Sequence, residues 1–220
     1  MGKHKREKVE LRVMTIADCH GSLQKQELVL GYRGEKPDII LLLGDNFIND
    51  LDLCMTFFKE NNLEKCLILG IVGNHEDKNI LNKYPLIKNV DRTVYYHKGI
   101  RIGGFSGSIK YKNEDNIYQL WTNKESEELL KELNPVDILV THDQPCFNKP
   151  IEMDAHSGLT GIAKYIKEKH PFINIHGHTH ERDKESISYR PKLFGKKYST
   201  IIQSCYRVES FDLTIVRDIK

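Results

Sequence analysis

The sequence predicts a mixed α/β domain, and three observations carry that reading. Short apolar runs alternate with segments of helical period through the first two-thirds of the chain. Four of the five runs are unbroken aliphatic or carry several β-branched residues, as expected of strands covered on both faces. The last part of the chain loses the alternation and has strand composition throughout.

The predicted strands are Val13-Met-Thr-Ile-Ala17, Ile39-Ile-Leu-Leu-Leu43, Leu67-Ile-Leu-Gly-Ile-Val72, Ile138-Leu-Val-Thr141 and Phe172-Ile-Asn-Ile175. Helices are expected over about 23–31, 50–61, 123–133 and 159–169. Leu129, Leu130 and Leu133 mark the apolar face of the third, and Ile162, Ala163 and Ile166 that of the fourth. Thr93–Gly107 reads as a hairpin turning at Lys98-Gly99. Residues 187–216 read as all-β, with strands at Tyr198–Ile202 and Phe211–Val216. Without a repeat, a Pro/Ser linker or a low-complexity stretch, residues 9–220 form one expected domain behind a basic tail, residues 1–8.

At 220 residues the chain can bury a core and carry a site. Lys plus Arg number 33 and Asp plus Glu 31, so no bulk positive charge points to nucleic acid. Cys19, Cys54, Cys66, Cys146 and Cys205 are odd in number and never spaced as Cys-x-x-Cys. This argues against a disulfide framework or a thiolate metal site and for a reducing cytoplasm. No apolar run approaches the roughly 20 residues that span a bilayer, so no membrane partner is expected. The basic start lacks the apolar segment of a signal peptide, and Arg6 stands where N-myristoylation needs Ser or Thr. A solvated tail is the expectation there, with weak contact to nucleic acid or phospholipid as the alternative.

The chemistry is in the positions of the polar residues. The predicted buried strands run in turn into Asp18-Cys-His20, Gly44-Asp45-Asn46, Gly73-Asn-His-Glu76, His142-Asp143 and His176-Gly-His-Thr-His180. Ligands of open α/β sheets bind beyond the carboxyl ends of the strands, so the topology would gather these side chains. Singly, each has a plain explanation: Asp as a helix cap, Asn beside Gly as a turn former, His as a surface residue. Together, carboxylates and imidazoles at one sheet edge need compensation, and metal ions supply it. Imidazole, carboxylate and amide donors without thiolate suit Mn²⁺, Fe or Zn²⁺, and so many histidines argue against Mg²⁺ or Ca²⁺.

This order of motifs resembles the calcineurin-like metallophosphoesterase family: Asp18-Cys-His20, Gly44-Asp45, Gly73-Asn74-His75-Glu76, His142 and Gly177-His178-Thr179-His180. The resemblance implies two β-sheets packed face to face between helices. It implies one ion held by Asp18, His20, Asp45 and His180, and a second by Asp45, Asn74, His142 and His178, with Asp45 bridging. His75 matches the family's catalytic histidine, which binds no metal. Two divalent ions against only two carboxylates leave the cluster at about +2, which suits a phosphoester anion. Such a pair activates a bridging water for in-line attack, and His75 would then protonate the leaving oxygen.

Other residues have weaker readings. Glu76 and Asp143 are candidates to orient ligand histidines, or are simply solvated. His176 reads as a strand residue, His156 as a surface residue with a substrate-facing role as the alternative, and His4, His97 and His170 as ordinary. Cys19, between two ligands, reads as core filler. In Ser108–Trp121, Tyr111, Tyr118 or Trp121 could stack on a base, although packing of the loop is the plainer expectation.

The substrate class is read from a departure. Protein phosphatases of the resembled superfamily carry an arginine shortly after Gly-Asp, whereas here Gly44-Asp45 is followed by no Arg until Arg92. The expected activity is therefore a phosphodiesterase acting on small or nucleotide-like diesters, with Mn²⁺ as the expected ion. The alternatives are a phosphomonoesterase, a nuclease, or a non-catalytic interaction module like the retromer subunit of this fold. That subunit has lost the catalytic histidine, whereas this chain keeps His75 and every ligand.

Overall fold

The protein is described here from a computed structural model covering residues 5–112, 119–151, 154–189 and 198–219. The first half forms β1 (Lys5–Ala17), α1 (Lys25–Tyr32), β2 (Ile39–Leu43), α2 (Ile48–Glu60), β3 (Leu67–Ile71), a 3₁₀ turn (Ile80–Lys83) and β4 (Ile87–Asn89). The last strand, β13 (Arg207–Ile219), joins them in a sheet of order β13-β1-β2-β3-β4. β1 to β4 run parallel, and β13 is antiparallel to β1.

The second sheet uses the hairpin β5 (Val94–His97) and β6 (Ile100–Phe105), then β9 (Ile138–Thr141), β10 (Ile173–His176), β11 (Lys184–Tyr189) and β12 (Tyr198–Ser204). Its order is β11-β12-β10-β9-β6-β5. β6, β9, β10 and β12 are parallel neighbours, and the edge pairs are antiparallel. A two-stranded piece, β7 (Ser108–Ile109) with β8 (Leu120–Trp121), precedes α3 (Asn123–Lys131); α4 (Thr160–Lys169) links β9 to β10.

Period-two alternation sorts the aliphatic runs into layers. Val13, Ala17, Ile39, Leu41 and Leu43 face Ile138, Val140, Ile173 and Ile175 of the other sheet in one buried cluster. The intervening Met14, Ile16, Ile40 and Leu42 face outward, under Leu28 of α1 and Leu51, Cys54, Phe57 and Phe58 of α2. Leu139 and Phe105 do the same beneath Leu130 of α3 and Ile162, Tyr165 and Ile166 of α4. Both faces of these strands are covered, which is why the runs are apolar at nearly every position, with Thr15, Thr141 and Asn174 as buried polar exceptions. The result is two sheets between two helical layers. Among the described residues no helix is long and apolar enough to cross a membrane.

The sequence reading differs from this at the edges. Lys5 to Lys8, expected in the tail, extend β1, because β13 offers a ladder partner to each of them. α1 begins at Lys25 rather than 23, with the Glu27 carboxylate accepting from the Gln24 amide at its start. His4 lies outside the described residues.

Candidate metal centre

Because β1, β2 and β3 run parallel to one another in one sheet and β9 and β10 do so in the other, their carboxyl ends come out along one edge of the sandwich. Backbone bonds lock the ligand loops together there: Asp18 N–H donates to Gly44 O (3.1 Å), His20 N–H to Asp45 O (2.9 Å) and Gly177 N–H to His142 O (3.1 Å). Asp18 also crosses between the sheets, its carboxylate accepting from His178 N–H at 3.0 and 3.1 Å.

The chain makes unusual turns to do this. Asp18, His20, Asp45, His178 and His180 have φ of 54°, 48°, 52°, 66° and 56°, in the left-handed region that non-glycine residues seldom occupy. Such conformations cost of order 1–3 kcal/mol each and persist only where the surroundings over-determine them. Gly44, at φ 94°, has no room for a side chain: a Cβ would lie 2.5 Å from Gly73 N and 2.7 Å from His142 Nδ1. A Cβ on Gly73 would lie 2.1 Å from Asp45 Oδ1.

Two clusters of ligand atoms result. Asp18, His20 and His180 form one, Asp45, His142 and His178 the other, with the ligand atoms in each within 4.8 Å of one another. The first opens to solvent at His20 and His180, whose Nε2 atoms are 3.3 Å apart, while the second is wholly buried. Asp45 Oδ2 lies between them, 3.7 Å from His20 Nε2 and 3.5 Å from His142 Nε2. Asn74 Oδ1 completes the buried cluster, 2.9 Å from His142 Nε2.

The ring nitrogens are assigned by their partners. His142 Nδ1 donates to Leu43 O (2.8 Å) and His178 Nε2 donates to Ala155 O (2.7 Å). A carbonyl can only accept, so His142 Nε2 and His178 Nδ1 are left to coordinate. Burial, aided by the nearby His142 charge, lowers His178 to about 3, and burial also lowers His20 and His180, which favours the neutral imidazole that metal binding needs. Burial raises Asp18 to about 7, helped by the Asp45 charge. Burial opposes charge on His142 and Asp45 as well. Their mutual attraction overrides it, raising His142 to about 10 and holding Asp45 below the usual carboxylate range.

These residues fit a pair of divalent ions. Asp45 Oδ2 is a buried oxygen with no hydrogen-bond donor, although Oδ1 of the same carboxylate accepts from His75 N–H at 2.9 Å. An orphaned carboxylate oxygen facing two sets of imidazole donors is the arrangement that a shared cation would satisfy. His75 itself stays exposed beside this cluster, its ring 5.3 Å from that of His20, and its side chain is in neither ligand group.

The supporting residues differ from the sequence reading in an instructive way. Glu76 and Asp143 are buried, yet neither holds a histidine. Glu76 accepts from Asn46 N–H (2.7 Å) and Gly73 N–H (2.8 Å), tying the β2 and β3 loops together. Burial, then the Asp45 charge, raises it to about 8. Asp143 accepts from Ile109 N–H (2.9 Å) and Gln144 N–H (2.8 Å), holding β7 against the β9 loop. His156 is exposed as expected but does face the centre, its ring 4.9 Å from His178 and 6.1 Å from His180. His176 is buried at the end of β10, its Nδ1 2.9 Å from Gly177 O, and Cys19 is buried in the core under α1 and α2.

Trp121 packs against Phe105 and donates to Ser106 O (2.8 Å), which answers the stacking alternative for that ring. Tyr111 instead reaches the centre, its hydroxyl 3.4 Å from Asn74 Nδ2. Tyr118 lies outside the described residues. Sequence reasoning missed Asp50, a buried carboxylate that accepts from Gly21 (2.6 Å), Leu23 (2.9 Å) and Phe47 (2.9 Å) amides. Its one available signal was an acid in the first turn of a predicted helix.

A four-layer sandwich with paired His/Asp clusters at its strand ends defines a class of two-metal hydrolytic proteins. Residues 11–182 match the family described as calcineurin-like phosphoesterase, and the chain belongs to that family. It is 31% identical to a lariat debranching enzyme of Danio rerio, in a match spanning 61% of this chain and 31% of that protein. TT1561 of Thermus thermophilus has a similar fold (TM-score 0.61, 15% identity), covering 96% of this chain and 100% of that one. The calcineurin-like phosphoesterase YfkN of Bacillus subtilis is similar too (TM-score 0.53, 11% identity), over 96% and 91% of the two chains.

Proposed function

We propose that the chain is a binuclear-metal phosphodiesterase that hydrolyses small or nucleotide-like diesters. The observation that supports it best is the stranded Asp45 oxygen between two imidazole groups. Asp18, His20, Asp45 and His180 would hold one ion and Asp45, Asn74, His142 and His178 the other, with Mn²⁺ the ion we assign. When bound, two such ions lower the pKa of water and polarise phosphoryl oxygens. The remaining work belongs to the chain. His75, anchored through its amide to Asp45, supplies the proton to the departing alcohol. Tyr111 steadies the Asn74 amide, so that its oxygen stays on the buried cluster.

Two findings favour a diester over a monoester. Gly44-Asp45 is followed by no arginine until Arg92, and that guanidinium is paired through Nε with its neighbour Asp91 at 3.1 Å. The relative at 31% identity is a lariat debranching enzyme, a name that fits cleavage of a linkage rather than removal of a terminal phosphate. The free cysteines, raised by burial where they are deepest, support a reducing compartment such as the cytoplasm.

The test is turnover of matched aryl phosphodiester and monoester substrates with Mn²⁺ and after chelation. Hydrolysis that survives chelation sinks the two-ion mechanism, and a strong monoester preference sinks the substrate class. His75→Asn is expected to keep both ions by metal analysis while losing roughly 10²–10⁴-fold in kcat. Loss of metal in that variant would make His75 a ligand.

A further inference from the structure

Beside His75 lies a cavity of about 370 Å³, walled by Phe47, Ile48 and Ile80 and lined further by Gly21, Asn49, Asp77 and Lys83. None of the seven proposed ligands lines it, while His75 does. Its volume lies near the lower end for ligand pockets, suited to one compact group rather than a polymer. We infer that this cavity is the subsite for the departing arm of the diester, and that it takes a planar aromatic group of nucleobase or aryl size. The inference rests on the phosphodiesterase reading and names the part of the substrate the pocket selects.

The argument is one of position and wall chemistry. A phosphate at the clusters with its leaving oxygen at His75 must send the leaving alcohol past His75, and the cavity begins there. As the P–O bond to that arm breaks, the oxygen keeps the electron pair and takes the His75 proton, while water supplies the new P–O bond. Phe47 is half-buried and braced edge-on against His20, at 5.8 Å between ring centroids. Ile80 is buried beneath the floor, and Ile48 leaves 44% of its surface open. The Ile48 carbonyl accepts from the Tyr84 hydroxyl at 3.2 Å, which fixes that wall. Two aliphatic side chains and a ring give the lining an apolar surface on which an aromatic group can pack. The exposed Asn49 and Lys83 offer polar groups to a heterocycle's edge. Both Glu76 oxygens are engaged by backbone amides, of Asn46 and Gly73, so the solvent-facing carboxylate of the lining is that of the exposed Asp77.

Ile48→Asp tests this with little risk to the fold, since the residue is exposed and a carboxylate is favourable in the first turn of α2. The Mn²⁺-loaded enzyme would be compared on methyl p-nitrophenyl phosphate and on methyl 2,2,2-trifluoroethyl phosphate, which lacks the ring. The ratio of the two kcat/KM values is expected to fall about tenfold in the variant. In parallel, isoleucine methyl spectra of the Zn²⁺-loaded protein would be titrated with phenyl methylphosphonate and with ringless methyl methylphosphonate. The phenyl compound is expected to move the Ile48 and Ile80 methyls in the wild type, and the methyl compound to leave them in place. An unchanged kcat/KM ratio, or ring-independent methyl shifts, overturns the subsite. Failure of the wild type to cleave either diester overturns the phosphodiesterase reading instead, and the spectra then decide the cavity by themselves.

Discussion

Replacing Asp50 by Asn probes the scaffold beneath the metal centre without touching a ligand. The Asp50 carboxylate is buried and receives three backbone amides, Gly21 and Phe47 on one oxygen and Leu23 on the other. Asparagine can keep the shared oxygen for Gly21 and Phe47, but its amide then confronts Leu23 N–H, donor against donor. Hydrogen bonds to a charged group are worth about 1.5–3 kcal/mol, and a buried unsatisfied donor costs about 1–3 kcal/mol. The sum, less what the retained pair recovers, is about 3 kcal/mol. For a domain of this size that lowers Tm by about 6–12 °C. The same loop carries His20, so Mn²⁺ affinity should also drop by about 10–100-fold. Circular dichroism melts and metal titration of the two proteins would check both numbers, with Asp50→Ala expected to be worse than Asp50→Asn. If Asp50→Asn melts with the wild type and binds Mn²⁺ equally well, the claim that this carboxylate holds the ligand loops is wrong.

Two other outcomes follow from the same geometry. Asp45→Asn should abolish binding of both ions rather than one, because Asp45 Oδ2 stands between the two clusters; a variant retaining one full equivalent of metal would refute the bridge. In the wild type, Mn²⁺ at 100 times Kd should add about 2.7 kcal/mol, raising Tm by about 5–10 °C over the chelated protein. Far from the site, Asp38 is held below the usual carboxylate range: burial raises it, but the Lys98 ammonium and the Arg12 amide prevail. A depressed folded pKa adds stability above the unfolded value near 3.9 and loses it as pH falls through the folded value. Asp38→Asn should thus be less stable than wild type at pH 7, with the gap closing below about pH 4 in urea melts.

The candidate donors were legible in the sequence because they lie at or just beyond the ends of buried strands, which pattern can locate, while their division into two ligand sets came from the family resemblance. The supports were not. Glu76 and Asp143 stand beside ligands, which left solvation or contact with a histidine as the readings, yet both are buried and each binds one backbone amide of its own loop and one of another. Nothing in one-dimensional order says which amide a carboxylate will meet. His156 illustrates the same gap: it is exposed as a loop histidine should be, but the loop lays its ring against His178.

The sequence by itself determined the alternation of strands and helices, since apolar periodicity records which faces are covered, and it determined the donor types at five strand ends. Only the tertiary structure decided that one Asp45 oxygen has no hydrogen-bond donor, that Glu76 and Asp143 are buried against backbone amides, and that a cavity opens beside His75. Those facts depend on distances between segments brought together by two sheets packing face to face, and such distances are set by the whole core rather than by any local run of residues.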